Sequence, residues 1–135
     1  MRYNLFIGRY QSPHKGHMHL FDTFLKEGKP VLIAIRDIEP DKNNPLSADE
    51  VKRLWESVYK NNPLVKVIII PNIASVNYGR AVGYEVNQIN VPESISSISA
   101  SEIRQQIMDG KNEWKEFVDE KIHAMLTAYL MPRSQ

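Results

Sequence analysis

GRYQSPHKGH, which occupies Gly8–His17, joins a predicted strand to a predicted helix. Ahead of it, the run RYNLFI at residues 2–7 is typical of a short buried strand. Behind it, apolar residues recur at the helical period, which predicts an amphipathic helix that opens near Gly16. These apolar residues are Met18, Phe21, Phe24 and Leu25. In an open parallel sheet, such strand-to-helix turns lie at the carboxyl ends of the strands, where ligands bind.

The same turn carries groups suited to an anion. His14 and His17 stand three residues apart, and Gly16 between them lets the backbone come close. The first turn of the helix adds free N–H groups, which favour negative charge. Together these groups form a polar cup suited to phosphate, and our hypothesis at this point is a nucleotide-phosphate site.

Length and composition set limits on the class of protein. The 135 residues are expected to form a single domain, residues 1–135, because a second ordinary core would need a longer chain. With 17 basic and 16 acidic residues the net charge is +1, so nucleic acid and anionic membranes are not expected as partners. The chain has no cysteine, which removes disulfides, thiol nucleophiles and thiolate metal sites. Neither a signal-peptide pattern nor a run of about 18 apolar residues occurs, so we expect a cytoplasmic protein.

The first half of the chain alternates strand and helix patterns. The apolar run VLIAI at Val31–Ile35 is typical of a strand covered on both faces. Ser47 and Glu50 form a capping box for a second helix, and VKVIII at residues 65–70 predicts a third strand. The order βαβαβ indicates an α/β fold with a parallel sheet and right-handed crossovers. The charged loop at residues 36–45 then lies at the same carboxyl edge as the histidine turn.

The pattern weakens after the third strand. A polar loop contains VNYGRAVG at residues 76–83, and a short strand is possible at residues 84–89. Ser99 and Glu102 predict a second capping box, at the start of a helix that ends at Gly110. The last helical pattern has a possible break near Val118 and stops at Pro132.

A second group of polar residues lies at the start of that later helix. In SASEIR, Ser99, Ser101 and Arg104 place two hydroxyls and a guanidinium within one turn, beside free helix N–H groups. This is a second candidate anion site. Two such sites at one edge of a sheet could hold successive phosphates of a nucleoside triphosphate.

Both segments resemble signatures of one enzyme superfamily. GRYQSPHKGH resembles the GRFQPFHxGH signature of the HxGH nucleotidylyltransferases, and SISASEIR is similar to their second signature, ISxxxIR. Within this cytidylyltransferase-like family, the likeness is greatest to the archaeal-type nicotinamide mononucleotide adenylyltransferases. Their second helix is introduced by a phrase like NPLSADE at Asn44–Glu50, and a pattern near their C terminus resembles Ile103–Trp114.

The resemblance implies a Rossmann-like parallel sheet with helices on both faces, followed by C-terminal helices. It also implies transfer of a nucleoside monophosphate from a nucleoside triphosphate to a phosphate-bearing acceptor, with release of pyrophosphate. The favoured case is transfer of AMP from ATP to nicotinamide mononucleotide. Mg²⁺ would be bound through the phosphates of the triphosphate. Relatives are commonly oligomeric, so a homo-oligomer is possible.

The resemblance assigns roles to individual positions. His14, His17 and Arg104 would be catalytic. The nucleotide would be bound by Gly8, Arg9, Tyr10, Ser12, Lys15, Gly16, Ser99 and Ser101. Possible acceptor-binding residues are Arg36, Asp37, Tyr78 and Arg80. The hypothesis of a zinc site at His14, His17 and His19 is disfavoured, because no carboxylate or thiolate ligand stands nearby.

Two departures from the family pattern keep other hypotheses open. Ser12 and Pro13 replace the Pro-Phe of the signature, and the segment at residues 76–84 takes the place of a further helix and strand of the nicotinamide enzymes. A cytidylyltransferase that uses CTP and a phosphorylated alcohol such as glycerol phosphate has a comparable length, although its first motif usually reads Gly-Thr-Phe-Asp. A non-catalytic nucleotide-binding regulatory domain is the alternative outside enzymes.

Overall fold

The structure is a computed structural model, and it describes residues 1–80 and 83–131. Strands and helices alternate in the first half of the chain, as predicted. The strands are β1 (Asn4–Gly8), β2 (Val31–Asp37) and β3 (Val65–Pro71), and the helices are α1 (Lys15–Leu25), α2 (Ala48–Val58), α3 (Glu93–Ser96), α4 (Ala100–Met108) and α5 (His123–Leu130). Two short 3₁₀ turns, Glu113–Phe117 and Glu120–Ile122, stand between α4 and α5.

The three strands form a parallel sheet in the order β1-β2-β3. In this register Asn4 pairs with Val31, Gly8 pairs with Ile35, and Ile35 pairs with Ile69. In the central strand β2, Val31, Ile33, Ala34 and Ile35 are buried, which explains why Val31–Ile35 is a continuous apolar run. The fold is therefore α/β and Rossmann-like, and the loops after the three strands all begin at one edge.

Helix α2 carries the largest buried side chain of the core. Its N terminus has the predicted capping box: Glu50 N–H donates to Ser47 Oγ at 3.1 Å, and Ser47 N–H donates to Glu50 Oε1 at 3.0 Å. Trp55 and Leu54 are fully buried. The end of the chain closes the same core through Leu126 and its apolar neighbours in α5. Helix α5 thus packs on the same core as the sheet and α2.

The second half differs from the sequence predictions in two places. The possible strand at residues 84–89 was wrong, because residues 84–90 lie outside helices and strands. Tyr84 and Val86 are 52% and 73% exposed, so their alternation with polar residues supplies no buried face that would fix a strand. At the start of α4 the capping box is incomplete: Glu102 N–H donates to Ser99 Oγ, but among the described residues Ser99 N–H does not donate to the Glu102 carboxylate.

The helical pattern of the C-terminal segment is interrupted near Val118, as predicted. Val118 has an extended backbone with φ −126° and ψ 137° and separates the 3₁₀ turns that precede α5. Pro132, the predicted stop, lies outside the described residues. No helix in residues 1–80 and 83–131 combines the length and the apolar character needed to span a bilayer.

Candidate active site

The two histidines of the first motif cap the helix that follows them. Gly16 N–H donates to Nδ1 of His14 at 3.0 Å, and His14 N–H donates to Nδ1 of His17 at 3.1 Å. This reciprocal pair satisfies the free N–H groups of the first turn in the way that serine and glutamate do at α2. The two rings stack with their centroids 3.7 Å apart and their planes inclined by 22°. Because each Nδ1 accepts a hydrogen bond, each neutral ring carries its proton on Nε2. This Nε2–H group can donate a hydrogen bond to a ligand.

Burial keeps both rings neutral. Burial lowers the pKa of His14 to about 4. It lowers the pKa of His17 to about 3, and repulsion from His14 contributes to that second shift. His17 lies edge-on to Tyr10 and Trp55, with ring centroids 5.0 and 5.8 Å away. Near neutral pH the site therefore presents two Nε2–H donors without a full positive charge.

Two glycines of the motif are required by close contacts. A Cβ atom on Gly16 would lie 2.7 Å from Cε1 and 2.9 Å from Nδ1 of His14, so a side chain there would displace the ring. A Cβ atom on Gly8 would lie 2.8 Å from Cζ of Tyr10. Tyr10 itself has φ 54°, a left-handed conformation that few residues adopt. The positions of the imidazoles thus depend on small residues at fixed points of the turn.

Arg104 of the second motif reaches the histidine turn. Its guanidinium donates to the main-chain carbonyl of Gln11, although the two residues are 93 positions apart in the sequence. Burial lowers the pKa of Arg104, and the carboxylate of Asp41 opposes that shift. Beside this contact, Ser12 is fully buried and its Oγ has no hydrogen-bond partner among the described residues. The two motifs therefore meet at one turn, as the pairing of two phosphate-binding segments requires.

The serines of the second motif lie at the N terminus of α4. Glu102 N–H donates to Ser99 Oγ at 3.3 Å, and the hydroxyls of Ser99 and Ser101 are 3.3 Å apart. Ile103, which is 2% exposed, anchors the helix in the core. This anchoring leaves Arg104 on the side of the helix that faces Gln11.

A cavity of about 580 Å³ separates α4 from the loop that precedes α2. Its lining consists of Pro40, Asp41, Lys42, Asn43, Pro45, Ser101, Arg104, Gln105 and Met108. Within the described part of the chain, neither His14 nor His17 lines this cavity, and Ser99 lines a separate one of about 70 Å³. The predicted residues are therefore neighbours around one turn, but this conformation does not bring all of them into a single cavity.

The arginines at the strand ends extend toward neighbouring loops. Arg9 donates to the carbonyl of Glu39 at 3.0 Å and lies 3.9 Å from Asp41. Arg36 donates to Asn72 Oδ1 at 2.8 Å, across the end of β3. Nε of each arginine is buried and has no hydrogen-bond partner in the described residues. Each guanidinium could still donate to an anionic ligand at this edge.

The remaining predicted site residues are more exposed. Lys15 is the first residue of α1, and Asp37 is the last residue of β2. Tyr78 is 60% exposed and meets Tyr84 edge-on at 6.3 Å, and Arg80 is exposed on the same segment. Nothing in the geometry tests their binding roles, which stay predictions.

The other histidines stand apart from this arrangement. His19 is exposed on α1. His123 is bonded through Nε2 to the carbonyl of Val118 at 2.7 Å and packs edge-on against Trp114. Among residues 1–80 and 83–131, no three His, Cys, Asp or Glu side chains are grouped closely enough to hold a metal ion.

Fold and site together define a Rossmann-like α/β domain whose first helix is capped by a histidine pair at the ligand-binding edge of the sheet. Residues 5–54 match the sequence model of the cytidylyltransferase-like family. The chain is also similar to the nicotinamide-nucleotide adenylyltransferase of Pyrobaculum aerophilum, with 27% identity over 161 aligned positions that cover 95% of this chain and 89% of that protein. Both comparisons agree with the similarity of this chain to the HxGH nucleotidylyltransferase superfamily.

This chain is shorter than the aligned region of its Pyrobaculum relative. The 161 aligned positions exceed the 135 residues of the chain, so the archaeal relative carries insertions that this chain lacks. The segment between β3 and α3 has no further strand or long helix among its described residues. This agrees with the expectation that the chain lacks a helix and strand of the nicotinamide enzymes.

Two features of the site were not predicted from the sequence. The histidine cap has a recognisable signal, because His14 and His17 have the N-cap-to-N3 spacing of a Ser-x-x-Glu box. The second feature is Gln11, whose side chain pairs with the backbone of Leu46. A contact between residues 35 positions apart leaves no local pattern, so only the fold reveals it.

Proposed function

We propose that this chain transfers a nucleoside monophosphate from a nucleoside triphosphate to a phosphate-bearing acceptor and releases pyrophosphate. The observation that carries the proposal is the stacked pair His14 and His17, whose Nδ1 atoms are held by the backbone while Nε2–H remains available. The contact of Arg104 with the same turn supports it. These groups are donors placed where negative charge would develop on a phosphoryl group.

The proposed reaction needs no protein nucleophile. A phosphate oxygen of the acceptor attacks the α-phosphorus, and the bond from that phosphorus to the α–β bridging oxygen breaks, so pyrophosphate leaves with the electron pair. An acceptor phosphate is already ionised near neutral pH, so positioning and charge stabilisation suffice. His14 and His17 would donate to the α-phosphoryl group. Ser99, Ser101 and Arg104 would hold the β and γ phosphates.

The rest of the turn would shape the nucleotide site. Gly8 and Gly16 leave room where side chains would collide with Tyr10 and His14. The unpartnered Oγ of Ser12 and the exposed ammonium of Lys15 would complete the phosphate contacts. Magnesium would enter as part of the triphosphate substrate, because Mg²⁺ is commonly held by substrate phosphates together with water, and it would neutralise phosphate charge.

We favour ATP as the nucleotide and nicotinamide mononucleotide as the acceptor. Two features support this choice: the similarity to the nicotinamide-nucleotide adenylyltransferase of Pyrobaculum aerophilum and the Gly-Arg-Tyr-Gln start of the first motif. Arg36 would receive the acceptor and Arg9 would bind the nucleotide, because a phosphate would supply partners for their buried Nε atoms. Asp37, Tyr78 and Arg80 would surround the rest of the acceptor.

A cytidylyltransferase that acts on CTP and a phosphorylated alcohol is the second candidate. The family whose model matches residues 5–54 is described as cytidylyltransferase-like. The chain is also shorter than its alignment with the adenylyltransferase. A small acceptor such as glycerol phosphate would need less of the missing segment.

Pyrophosphate release tests the proposal directly. The pure protein is incubated with MgATP or MgCTP in combination with nicotinamide mononucleotide or glycerol 3-phosphate. We expect turnover with ATP and nicotinamide mononucleotide, and turnover with CTP and glycerol 3-phosphate would replace it with the second candidate. Binding of a nucleotide without pyrophosphate release from any pair would contradict the enzyme proposal and favour a regulatory domain.

A further inference from the structure

Gln11 is a buried polar residue for which the proposed reaction gives no role. It is 8% exposed, and its side-chain amide forms two hydrogen bonds with the backbone of Leu46. Nε2 of Gln11 donates to the carbonyl of Leu46 at 2.8 Å, and Leu46 N–H donates to Oε1 of Gln11 at 2.9 Å. The amide thus pairs with the chain as a peptide group does between adjacent strands. Both of its polar atoms are satisfied by one residue 35 positions away.

This residue touches three segments of the candidate site. It belongs to the histidine turn, three positions before His14. Its side chain holds Leu46, which ends the loop of residues 38–46 and directly precedes the cap of α2. Its main-chain carbonyl receives the guanidinium of Arg104 from α4. No other described residue of the turn is hydrogen-bonded to both of the other segments.

The hydrogen bonds of Gln11 are not needed to build α2. That helix has its own complete cap from Ser47 and Glu50. Among the described residues, the turn also reaches the loop through the hydrogen bond of Arg9 to Glu39 and its 3.9 Å pair with Asp41, but both contacts are open to solvent and therefore weaker in water. Loss of the Gln11 amide would accordingly release the loop from the turn while α2 stays capped.

The loop carries the groups that face the larger cavity. Lys42 and Asn43 line it on one side, and Ser101 and Arg104 line it on the other. Arg36 and Asp37, which are predicted to bind the acceptor, lie at the end of β2, where this loop begins. The distance between the acceptor-binding residues and the phosphate-binding residues therefore depends on the position of the loop relative to the histidine turn.

We propose that Gln11 is a positioning residue, whose side-chain amide fixes the loop of residues 38–46 against the histidine turn so that acceptor and triphosphate are held at reacting distance. This proposal rests on the proposed function and deepens it. Because the side chain holds the loop while the carbonyl holds Arg104, a side-chain substitution affects the acceptor side more than nucleotide binding.

The test compares Gln11→Met with the wild type. Methionine keeps the approximate volume and removes both hydrogen bonds, and Gln88→Met, on an exposed segment, is the matched control. We expect the Leu46 amide to exchange with deuterium about tenfold faster or more in Gln11→Met. We expect kcat/KM for the acceptor to fall about tenfold or more, since misplacement of a reactant is costly. Equilibrium affinities for MgATP and MgCTP should change less than about threefold, and Gln88→Met should resemble the wild type.

A second variant separates positioning from simple packing. In Gln11→Glu, a carboxylate faces the Leu46 carbonyl and repels it, whereas the protonated acid can donate to it as glutamine does. The activity of Gln11→Glu relative to the wild type should therefore rise as the pH falls from about 8 to about 6, because burial raises the pKa of a carboxyl. A role in packing alone would leave this ratio constant.

The outcomes distinguish this proposal from the proposed function. Unchanged exchange at Leu46, or equal loss of acceptor turnover and nucleotide affinity in Gln11→Met, overturns the positioning role and leaves the transferase proposal standing. Absence of pyrophosphate release by the wild type with every substrate pair overturns the transferase proposal instead.

Discussion

At the scale of single residues, the candidate site depends on how two imidazoles are held. His14 and His17 accept backbone N–H groups through Nδ1, stack on each other and present Nε2–H. The low pKa values that burial gives them mean that no counter-ion is needed in the absence of a ligand. A phosphate would find preformed donors, whose orientation costs nothing at the moment of binding.

Replacing His17 tests its role in the transition state. His17→Ala should lower kcat by about 10² to 10³, the usual cost of losing one donor to developing charge. Turnover is measured as pyrophosphate release, and circular dichroism checks the fold. His19→Ala, which alters an exposed histidine two positions along α1, is the control and should keep wild-type turnover. Unchanged turnover of His17→Ala would remove this ring from the mechanism.

The histidine pair also predicts how stability depends on pH. The folded-state pKa values of about 4 and about 3 lie below the ordinary value of 6.5, so the unfolded chain binds protons that the folded protein excludes. Stability should therefore be full above about pH 6.5 and fall as the pH drops toward 4, by at most about 1.4 kcal/mol per pH unit for each ring.

His14→Asn isolates this contribution. Asparagine is a good N-cap and does not titrate, so the variant should lose part of the acid-dependent slope in urea unfolding between about pH 6.5 and 4. His19→Asn should keep the wild-type slope. An identical slope in His14→Asn and the wild type would show that His14 titrates normally in the folded protein.

At the scale of secondary structure, the first turn of α1 joins stability and function. A glycine inside a helix costs about 1 kcal/mol relative to alanine, yet Gly16 is the second residue of α1. The contact that a Cβ atom would make with the His14 ring explains the glycine. At this position the sequence accepts a residue with low helix propensity so that the His14 imidazole keeps its place.

The Gly16→Ala variant tests whether the glycine is needed for the position of the His14 ring. The added methyl group should push His14 away from its capping position, so turnover should fall about tenfold or more while the midpoint of thermal unfolding changes by only a few degrees. Gly79→Ala, where a Cβ atom meets nothing within 4 Å, is the matched control for the fold. Wild-type turnover in Gly16→Ala would show that the ring position is not critical.

The secondary structure was predictable where local chemistry decides it. The capping box at Ser47 and the apolar run of β2 are set by neighbours in sequence, and both were predicted correctly. The possible strand at residues 84–89 failed because a strand needs a partner and a buried face, which no local pattern guarantees. The prediction of a complete capping box at Ser99 was wrong, because the Glu102 side chain is exposed to solvent and does not return to the helix N terminus.

At the scale of the whole molecule, the sheet brings together segments that are far apart in the chain. The turn after β1, the loop after β2 and the N terminus of α4 meet at Gln11. The sequence indicated that the turn and α4 would converge, because two motifs of one family carry that expectation. It could not indicate that the larger cavity excludes the imidazoles, because that depends on the position of the loop of residues 38–46.

The central claim is that the histidine pair and Arg104 act on one polyphosphate. A crystal structure with a non-hydrolysable MgATP analogue tests it most directly, with an MgCTP analogue as the parallel trial. We predict that Nε2 of His17 and the guanidinium of Arg104 both lie within hydrogen-bonding distance of phosphate oxygens of the same bound nucleotide. A nucleotide whose phosphates contact only one of these two residues, or that binds away from residues 8–17, would contradict the claim.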